Sequence, residues 1–557
     1  ARMVRYSALI MLVMAGAFAV LTALGMVHAY NPAPYWDMWT GYLEFYIRAA
    51  EEGGWTPWWE LHNEHRIVLA KVLFAIDLKF FDGSMAFLFV LNWLFAASYW
   101  LLFGYVLSAL FPGQFQTPAI RLTWGLLGVL IFSWLQRENF TLAFQSQFFM
   151  AYLLPFLAFV GLARARLQGS MVSLIIAAVL GVLSAGTMVN GVLALPLMVV
   201  MALCMRMGAG VVIGLALLAL LTVGGYYYDY HTPEPHVSAQ EGLLRYAPAA
   251  FLYFLIYLGG PWYFVFQGAS MIIPAVAGAL LILCSAYLAY RVLRFPRDDA
   301  PMQFALLALL LYVGGTALGT AGGRVEFGIE HALTSRYMTP VILGWCALLV
   351  LVVRHGGARV YGSGRCMLAL LIPLTLLQSQ WSAPTALTNV REQMIGTLAL
   401  AMGARDEQFT GQVYFEPERA AQIAQAAFAR NLSIFANPAV GGVARQIGDV
   451  ITLTSTRTCT GYVDSITPLE GDSPFVRVQG WVFEPESARV PERLLLINEQ
   501  NRVVGAAVVG QQRFDVAAAL GESARHSGFT GYVQAEHAKA PLILIGRDPD
   551  CHRAAGP

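Results

Sequence analysis

The sequence predicts a polytopic α-helical membrane protein of about eleven transmembrane helices with a C-terminal soluble domain of β-sandwich type. Three observations predict it. Hydrophobic residues make up 57% of the 557 and charged residues only 12%, roughly half the charged share of a soluble globule. Apolar runs long enough to cross about 30 Å of hydrocarbon recur through the first two thirds of the chain. Beyond residue 381 the runs shorten and begin to alternate. Net charge of +1, with no basic stripe, leaves no electrostatic footprint for nucleic acid.

The expected spans are 7–29, 85–110, 119–135, 140–163, 171–189, 191–205, 209–228, 268–291, 302–321, 338–353 and 366–381. The first begins with Arg2 and Arg5 like a signal peptide, but its apolar run is longer and lacks a small-residue cleavage pattern, so it reads as an anchored helix. Segment 243–262 is long enough to cross, yet Pro248, Gly259, Gly260 and Pro261 suit an interfacial or re-entrant helix. Charge bias decides between the two. If the segment does not cross, Arg121, Arg164 with Arg166, Arg206, the cluster Arg291, Arg294 and Arg297, and the cluster Arg354, Arg359 and Arg365 share one side with the N-terminus. Cytoplasmic loops gather such charges. The N-terminus is then cytoplasmic and the C-terminal domain external.

Four polar connections fall outside: 30–84, 136–139, 229–246 and 322–337. In the first, residues 67–81 carry apolar side chains at helical spacing, interrupted by Lys71, Asp77 and Lys79, as in a helix lying in the interface. The expected domains are 1–383 (membrane), 384–450 (mostly helical connection, with a helix near 416–430) and 451–557 (β-domain). Strands are expected at 475–483, 493–498 and 503–509. Cys459 and Cys551 stand near the two ends of the β-domain, and an oxidising compartment would let them pair, although spacing alone cannot fix the pairing.

The external loops hold most of the chemistry. Tyr35-Trp36-Asp37-Met38-Trp39 and His62-Asn63-Glu64-His65-Arg66 crowd acids, bases and indoles beside a membrane helix, and Ser335-Arg336-Tyr337 closes the last external loop. An early aspartate in an aromatic setting, an interfacial helix, many further spans and a late Ser-Arg-Tyr resemble the GT-C superfamily of membrane glycosyltransferases. The likeness is to bacterial cell-envelope members, of O-antigen glucosyltransferase and arabinofuranosyltransferase type. Gly480-Trp481-Val482-Phe483, Arg513-Phe514-Asp515-Val516 and Ser527-Gly528-Phe529 also resemble a β-domain appended to such enzymes. The resemblance implies a polyprenyl-phosphate-linked sugar donor, an envelope glycan or protein acceptor, and work on the periplasmic face of a bacterial inner membrane. No Walker or Rossmann glycine pattern competes with it.

An inverting transfer needs a carboxylate to take the proton of the attacking hydroxyl. Asp37 is the candidate base, with Glu44 and Glu64 behind it; the plainer alternative is a carboxylate capping the loop helix. On a continuous helix Asp37 and Glu44 would share one face, about 10 Å apart. The leaving phosphate needs cationic or hydrogen-bonding partners, and the available set is Arg336, Arg324, His62, His65, Arg66 and Lys71, with Tyr337 beside Arg336. Arg336 could equally snorkel to headgroups, and for Lys71 snorkelling is the better reading. Trp36 and Trp39 are candidates for stacking on sugar or lipid. Trp481 reads instead as β-domain core.

His62, Glu64 and His65 also raise a divalent cation as a cofactor, but their spacing fits no zinc motif, and no metal ligand set is assigned. His62 and His65 could instead form one polar helix face. Glu138, Asn139 and Gln145 could meet sugar hydroxyls or cap a helix. Three alternatives to a single-sugar transferase stay open: a glycan polymerase or oligosaccharide ligase of related fold, a lipid-linked sugar transporter or flippase, and a β-domain merely anchored by the helices. A transporter predicts inverted repeats and charges at the midplane, neither of which the sequence carries.

Overall fold

The computed structural model describes residues 2–231, 239–356, 363–386, 388–453 and 455–554. Arg359 and part of the expected connection 229–246 lie outside the described residues, as does the Arg365 side chain. The chain divides into two compact units. The first comprises Ala1–Ala29, Trp59–Val72 and Leu88–Ala386, and the second Tyr30–Trp58, Leu73–Phe87 and Leu387–Pro557.

Among the described residues nine helices are long and apolar enough to span a membrane: Arg2–His28, Ala86–Leu110, Pro118–Thr141, Ala143–Gln168, Ala209–Tyr227, Ala247–Val265, Ile272–Arg294, Ala300–Phe327 and Ser335–Gly356. The protein is a multi-pass membrane protein. Three of the eleven expected spans fall away from this set. Met171–Ser184 and Val189–Cys204 are too short. Helix Ser363–Ser382 ends in a polar run whose Gln380 is fully buried, donating to Phe18 O and Thr22 Oγ1 and accepting from Trp134 N–H. One helix enters that the eleven omitted, Ala247–Val265.

Proline and glycine at 259–261 do not break that helix, contrary to the re-entrant expectation. A Cβ on Gly259 would lie 1.8 Å from Pro274 O, and one on Gly278 2.0 Å from Leu255 O. Both glycines therefore let the backbones of Ala247–Val265 and Ile272–Arg294 touch, the usual role of small residues between membrane helices.

Burial separates the centre of this bundle from its edge. Ala143–Gln168 and Ser335–Gly356 each bury 78% of their apolar window, whereas Ala209–Tyr227 buries 17%. The latter presents Leu217, Leu220 and Leu221 outward, as a helix bathed in lipid should.

Seven strands form one sheet in the second unit: β1 (Thr460–Pro468), β2 (Phe475–Phe483), β3 (Arg493–Ile497), β4 (Val503–Gln511), β5 (Gly528–Gln534), β6 (Ile543–Arg547) and β7 (Cys551–Ala554). Their order is β1-β2-β5-β4-β3-β6-β7, every neighbour antiparallel. The expected two-sheet sandwich is thus replaced by a single curled half-barrel. Its interior takes Val478, Val482, Leu494, Leu496, Phe529 and Leu544, so no second sheet is needed to bury one face.

The edges meet at one end. Cys459 N–H donates to His552 O (3.1 Å), His552 N–H donates to Arg457 O (3.1 Å), and Cys459 and Cys551 are disulfide-bonded. Helix Val390–Met402 covers the outer face of β4 and β5. That is why β4 is buried along seven consecutive residues rather than alternately. The expected helix near 416–430 forms as Pro417–Ala429, with proline in its first turn.

Candidate functional site

In the first unit the expected polar residues converge on the ends of the central helices. His62 N–H donates to His65 O (2.8 Å) and His65 N–H to His62 O (3.0 Å), closing a tight turn with Asn63 at φ 51°. The histidines are therefore opposite one another across a turn, not on a helix face. Asn63 is among the residue types that tolerate the left-handed region. The His62 ring packs on Phe144, and Val189 N–H donates to His65 Nδ1.

The turn presents Glu64, whose two carboxylate oxygens accept from Arg324 Nη2 at 3.0 and 3.1 Å. Arg324 ends the helix Ala300–Arg324. A second ion pair lies at the start of the following helix, where Arg336 Nη1 meets Glu138 Oε1 at 3.3 Å. A hydrogen-bond network fixes this corner. Asn139 Nδ2 donates to Arg336 O (2.8 Å) and Thr339 Oγ1 (2.7 Å), and Thr339 donates in turn to Gln136. Glu138 N–H donates to Ser335 Oγ, which donates to Leu135 O. Asn139 thus serves Arg336 and its neighbours, in place of the sugar contact or helix cap considered for it.

Sequence reasoning missed the group acting with both arginines, His331. It sits in the turn Ile329–Leu333, its Nδ1 3.0 Å from Tyr253 Oη and its ring 5.6 Å from that of Tyr337. Burial first, then the Arg336 and Arg324 charges, push its pKa down to about 4, so it is neutral at pH 7. The only available signal was its place inside the polar connection 322–337.

Two other members of the expected cationic set have different roles. Arg66 is buried and donates to Tyr226 O (2.9 Å), Trp59 O (2.6 Å) and Tyr228 O (2.9 Å), stacked 4.9 Å above the Trp59 ring. With three N–H groups on carbonyls it clamps loop backbone. Lys71 is buried with its ammonium 2.9 Å from Glu60 O, so it does not snorkel.

The second unit holds the other candidates. Trp36 has φ 52°, donates its N–H to Val413 O (2.8 Å) and rests its exposed ring against Phe415. Asp37 follows, half-buried, just before a π-helical turn, Trp39–Glu44. A π-turn uses more residues than an α-turn, so the seven-residue step to Glu44 no longer completes two turns and the shared face is lost. Glu44 is ion-paired with Arg419 at 2.9 Å, at the rim of an open groove of about 700 Å³ that Ile47, Glu416 and Ile423 also line. Trp39 is fully buried against Phe435, which removes it as a stacking platform.

A further carboxyl in this unit, which the sequence presents only as an interruption of the loop helix, is Asp77. It lies on helix Val68–Phe80 and is fully buried; its Oδ2 accepts from Tyr42 Oη–H (2.7 Å) and Met85 N–H (3.1 Å). Burial raises its pKa to about 6 against the lowering effect of those two bonds. Its backbone carbonyl accepts from Phe81 and Gly83, so Asp77 holds the turn after the helix from both ends.

Among the described residues no three His, Cys, Asp or Glu side chains group so as to hold a metal ion. His62, Glu64 and His65, the trio considered for a divalent cation, point into separate contacts. No protein-family model matches this chain, and no curated protein sequence does.

Proposed function

We propose that this protein is a GT-C-type membrane glycosyltransferase that moves a sugar from a polyprenyl-phosphate donor to an envelope glycan or surface protein, at the periplasmic face of a bacterial inner membrane. The observation that carries the reading is the pair Arg324 and Arg336. Both stand at ends of central membrane helices, both are held by carboxylates from other loops, and both act on one neutral histidine. Guanidinium groups at headgroup depth suit a lipid-linked phosphate, whose charge grows as the sugar leaves.

In the proposed displacement the acceptor hydroxyl attacks the anomeric carbon, and a new C–O bond forms as the bond from that carbon to the phosphate oxygen breaks. The lipid phosphate departs, and a carboxylate takes the hydroxyl proton, the role for which the sequence nominates Asp37. Positions of cationic residues support the orientation. Arg166 donates to Met205 O and Arg354 pairs with Asp299, at the bundle end opposite Arg324 and Arg336. The Cys459–Cys551 disulfide suits an oxidising compartment for the C-terminal domain.

Helix Ala247–Val265 lines the same corner. It meets His331 through Tyr253, Tyr337 through Tyr257 and Met338 through Gly260, and Trp345 Nε1–H donates to Leu258 O. It also packs along Ile272–Arg294, where Gly259 and Gly278 let the two backbones touch.

The test is transfer from radiolabelled polyprenyl-phosphate glucose and arabinofuranose by the purified full chain and its Asp37→Asn and Arg336→Ala variants. Wild type should transfer label. Asp37→Asn should keep the fold and lose at least about a hundredfold in rate, the usual scale for a general base. Equal transfer by wild type and Asp37→Asn would move the base to Glu44 or Glu64. Failure with every lipid-linked sugar would overturn the transferase reading in favour of transport.

A further inference from the structure

We propose that His331 is the third member of the anion site, donating its Nε2–H to the phosphate that Arg324 and Arg336 hold, and that it takes up a proton as the phosphate binds. The inference rests on the lipid-phosphate reading above and adds a residue and a proton to it.

The geometry starts from the ring. Nδ1 is 3.0 Å from Tyr253 Oη, and Nε2 makes no hydrogen bond to the described residues. With the tyrosine hydroxyl donating to Nδ1, the proton of the neutral ring sits on Nε2, which becomes a donor. The imidazole is held edge to face against Tyr337 and tilted against Phe327, so it cannot swing freely. It is half-buried, as are Arg324 and Arg336; Arg324 lies 5.9 Å over the Phe327 ring and Arg336 5.3 Å over the Tyr337 ring, the two rings that hold the imidazole.

Charge accounts for the proton. Around the ring are the two guanidiniums, the Tyr253 hydroxyl and the Tyr337 ring, with Glu64 paired to Arg324 and Glu138 to Arg336. Two cations and partial burial keep the free imidazole neutral. The intact donor, a phosphodiester, brings one negative charge among these groups, and the lipid phosphate monoester left when the sugar departs carries close to two; both favour the imidazolium and a charge-assisted hydrogen bond, the monoester more strongly. A histidine that charges only when the anion arrives avoids placing a third cation beside two guanidiniums.

Titration calorimetry of the full chain in detergent tests this, using farnesyl phosphate, the analogue of the departing lipid phosphate, and inorganic phosphate in buffers of different ionisation enthalpy at about pH 8, where both probes are already dianionic. Wild type should bind farnesyl phosphate with net proton uptake. His331→Ala and Tyr253→Phe should each weaken binding, the first roughly tenfold. His331→Gln should restore most of the affinity through its amide N–H but take up fewer protons than wild type. The last result separates a direct role from a merely structural one.

Unchanged affinity and proton uptake in both His331 variants, with binding lost in Arg336→Ala, would overturn this inference and leave the donor reading standing. No binding of farnesyl phosphate by wild type would overturn both. Inorganic phosphate binding as tightly as farnesyl phosphate would support the His331 contact while overturning the assignment to a lipid-linked ester.

Discussion

Glu64 and Asp77 come from the same polar stretch of sequence, yet they handle a carboxyl group in opposite ways. Glu64 stands at the tip of a tight turn with both oxygens on the Arg324 guanidinium. Asp77 is buried with no cation, only a tyrosine hydroxyl and one backbone N–H on a single oxygen, and its pKa rises to about 6. A paired, half-buried carboxylate keeps its charge and can organise a cationic site. An unpaired, buried one approaches neutrality and is suited to holding a turn.

Asp406 shows a third arrangement. It is buried in the second unit with Arg477 Nη1 at 3.2 Å from each oxygen and Tyr532 Oη–H donating at 2.9 Å, tying the helical connection to β2 and β5. Asp406→Ala should have the largest effect, because it strands a mostly buried guanidinium. A loss of about 3–5 kcal/mol is expected, read as a lower thermal midpoint and faster proteolysis of the full chain in detergent. An unchanged midpoint would mean that this pair does not bind the helical segment to the sheet.

Asp77 should reveal itself through pH. Its folded value lies above the ordinary 3.8, so the folded chain binds more protons between 3.8 and about 6. Its contribution is therefore most favourable at the acidic end and is lost as pH rises through about 6. The swing is roughly 3 kcal/mol, since each tenfold change in proton affinity is worth about 1.4 kcal/mol. Midpoints of wild type and Asp77→Asn should diverge across that window, the variant lacking this component. Parallel curves would show that Asp77 is not buried unpaired.

Glu64→Gln should cost less, about 1–2 kcal/mol, because the Arg324 pair is half-buried and its guanidinium can find water. If the loss matched that of Asp406→Ala, the two pairs would be equally desolvated and the contrast would collapse. The smallest change belongs to Glu52→Ala, which removes an exposed i,i+4 pair with Arg48 and should cost about 0.3–0.5 kcal/mol. It also serves as the baseline for the other three.

How far the sequence could be read depended on how local each feature was. Helices long and apolar enough to span were legible because hydropathy is a sum over neighbours. The strand at 475–483 was legible because alternation repeats every second residue, and those at 493–498 and 503–509 because short apolar runs are bounded by polar turn residues. Met171–Ser184 and Val189–Cys204 misled because an apolar run does not reveal where a helix stops. Their boundary at 184–189 is made by turns, with Gly191 packed against the Ser184 carbonyl. Trp39 misled because an indole beside Asp37 reads the same whether it lines a cleft or fills a core.

What the sequence by itself determined is the solvent the protein needs and the local shape of its segments: apolar helices for lipid, then alternating strands for water. Tertiary structure alone decided which charges meet. Glu64 finds Arg324 across 260 residues, Glu138 finds Arg336 across 198, and His331 finds Tyr253 across 78. It also decided that Asp77 would meet a tyrosine and no cation. Local pattern is set by side chains a few positions apart, which share one helix or strand. Ion pairing and pKa are set by distance and dielectric, and those exist only once distant segments have packed together.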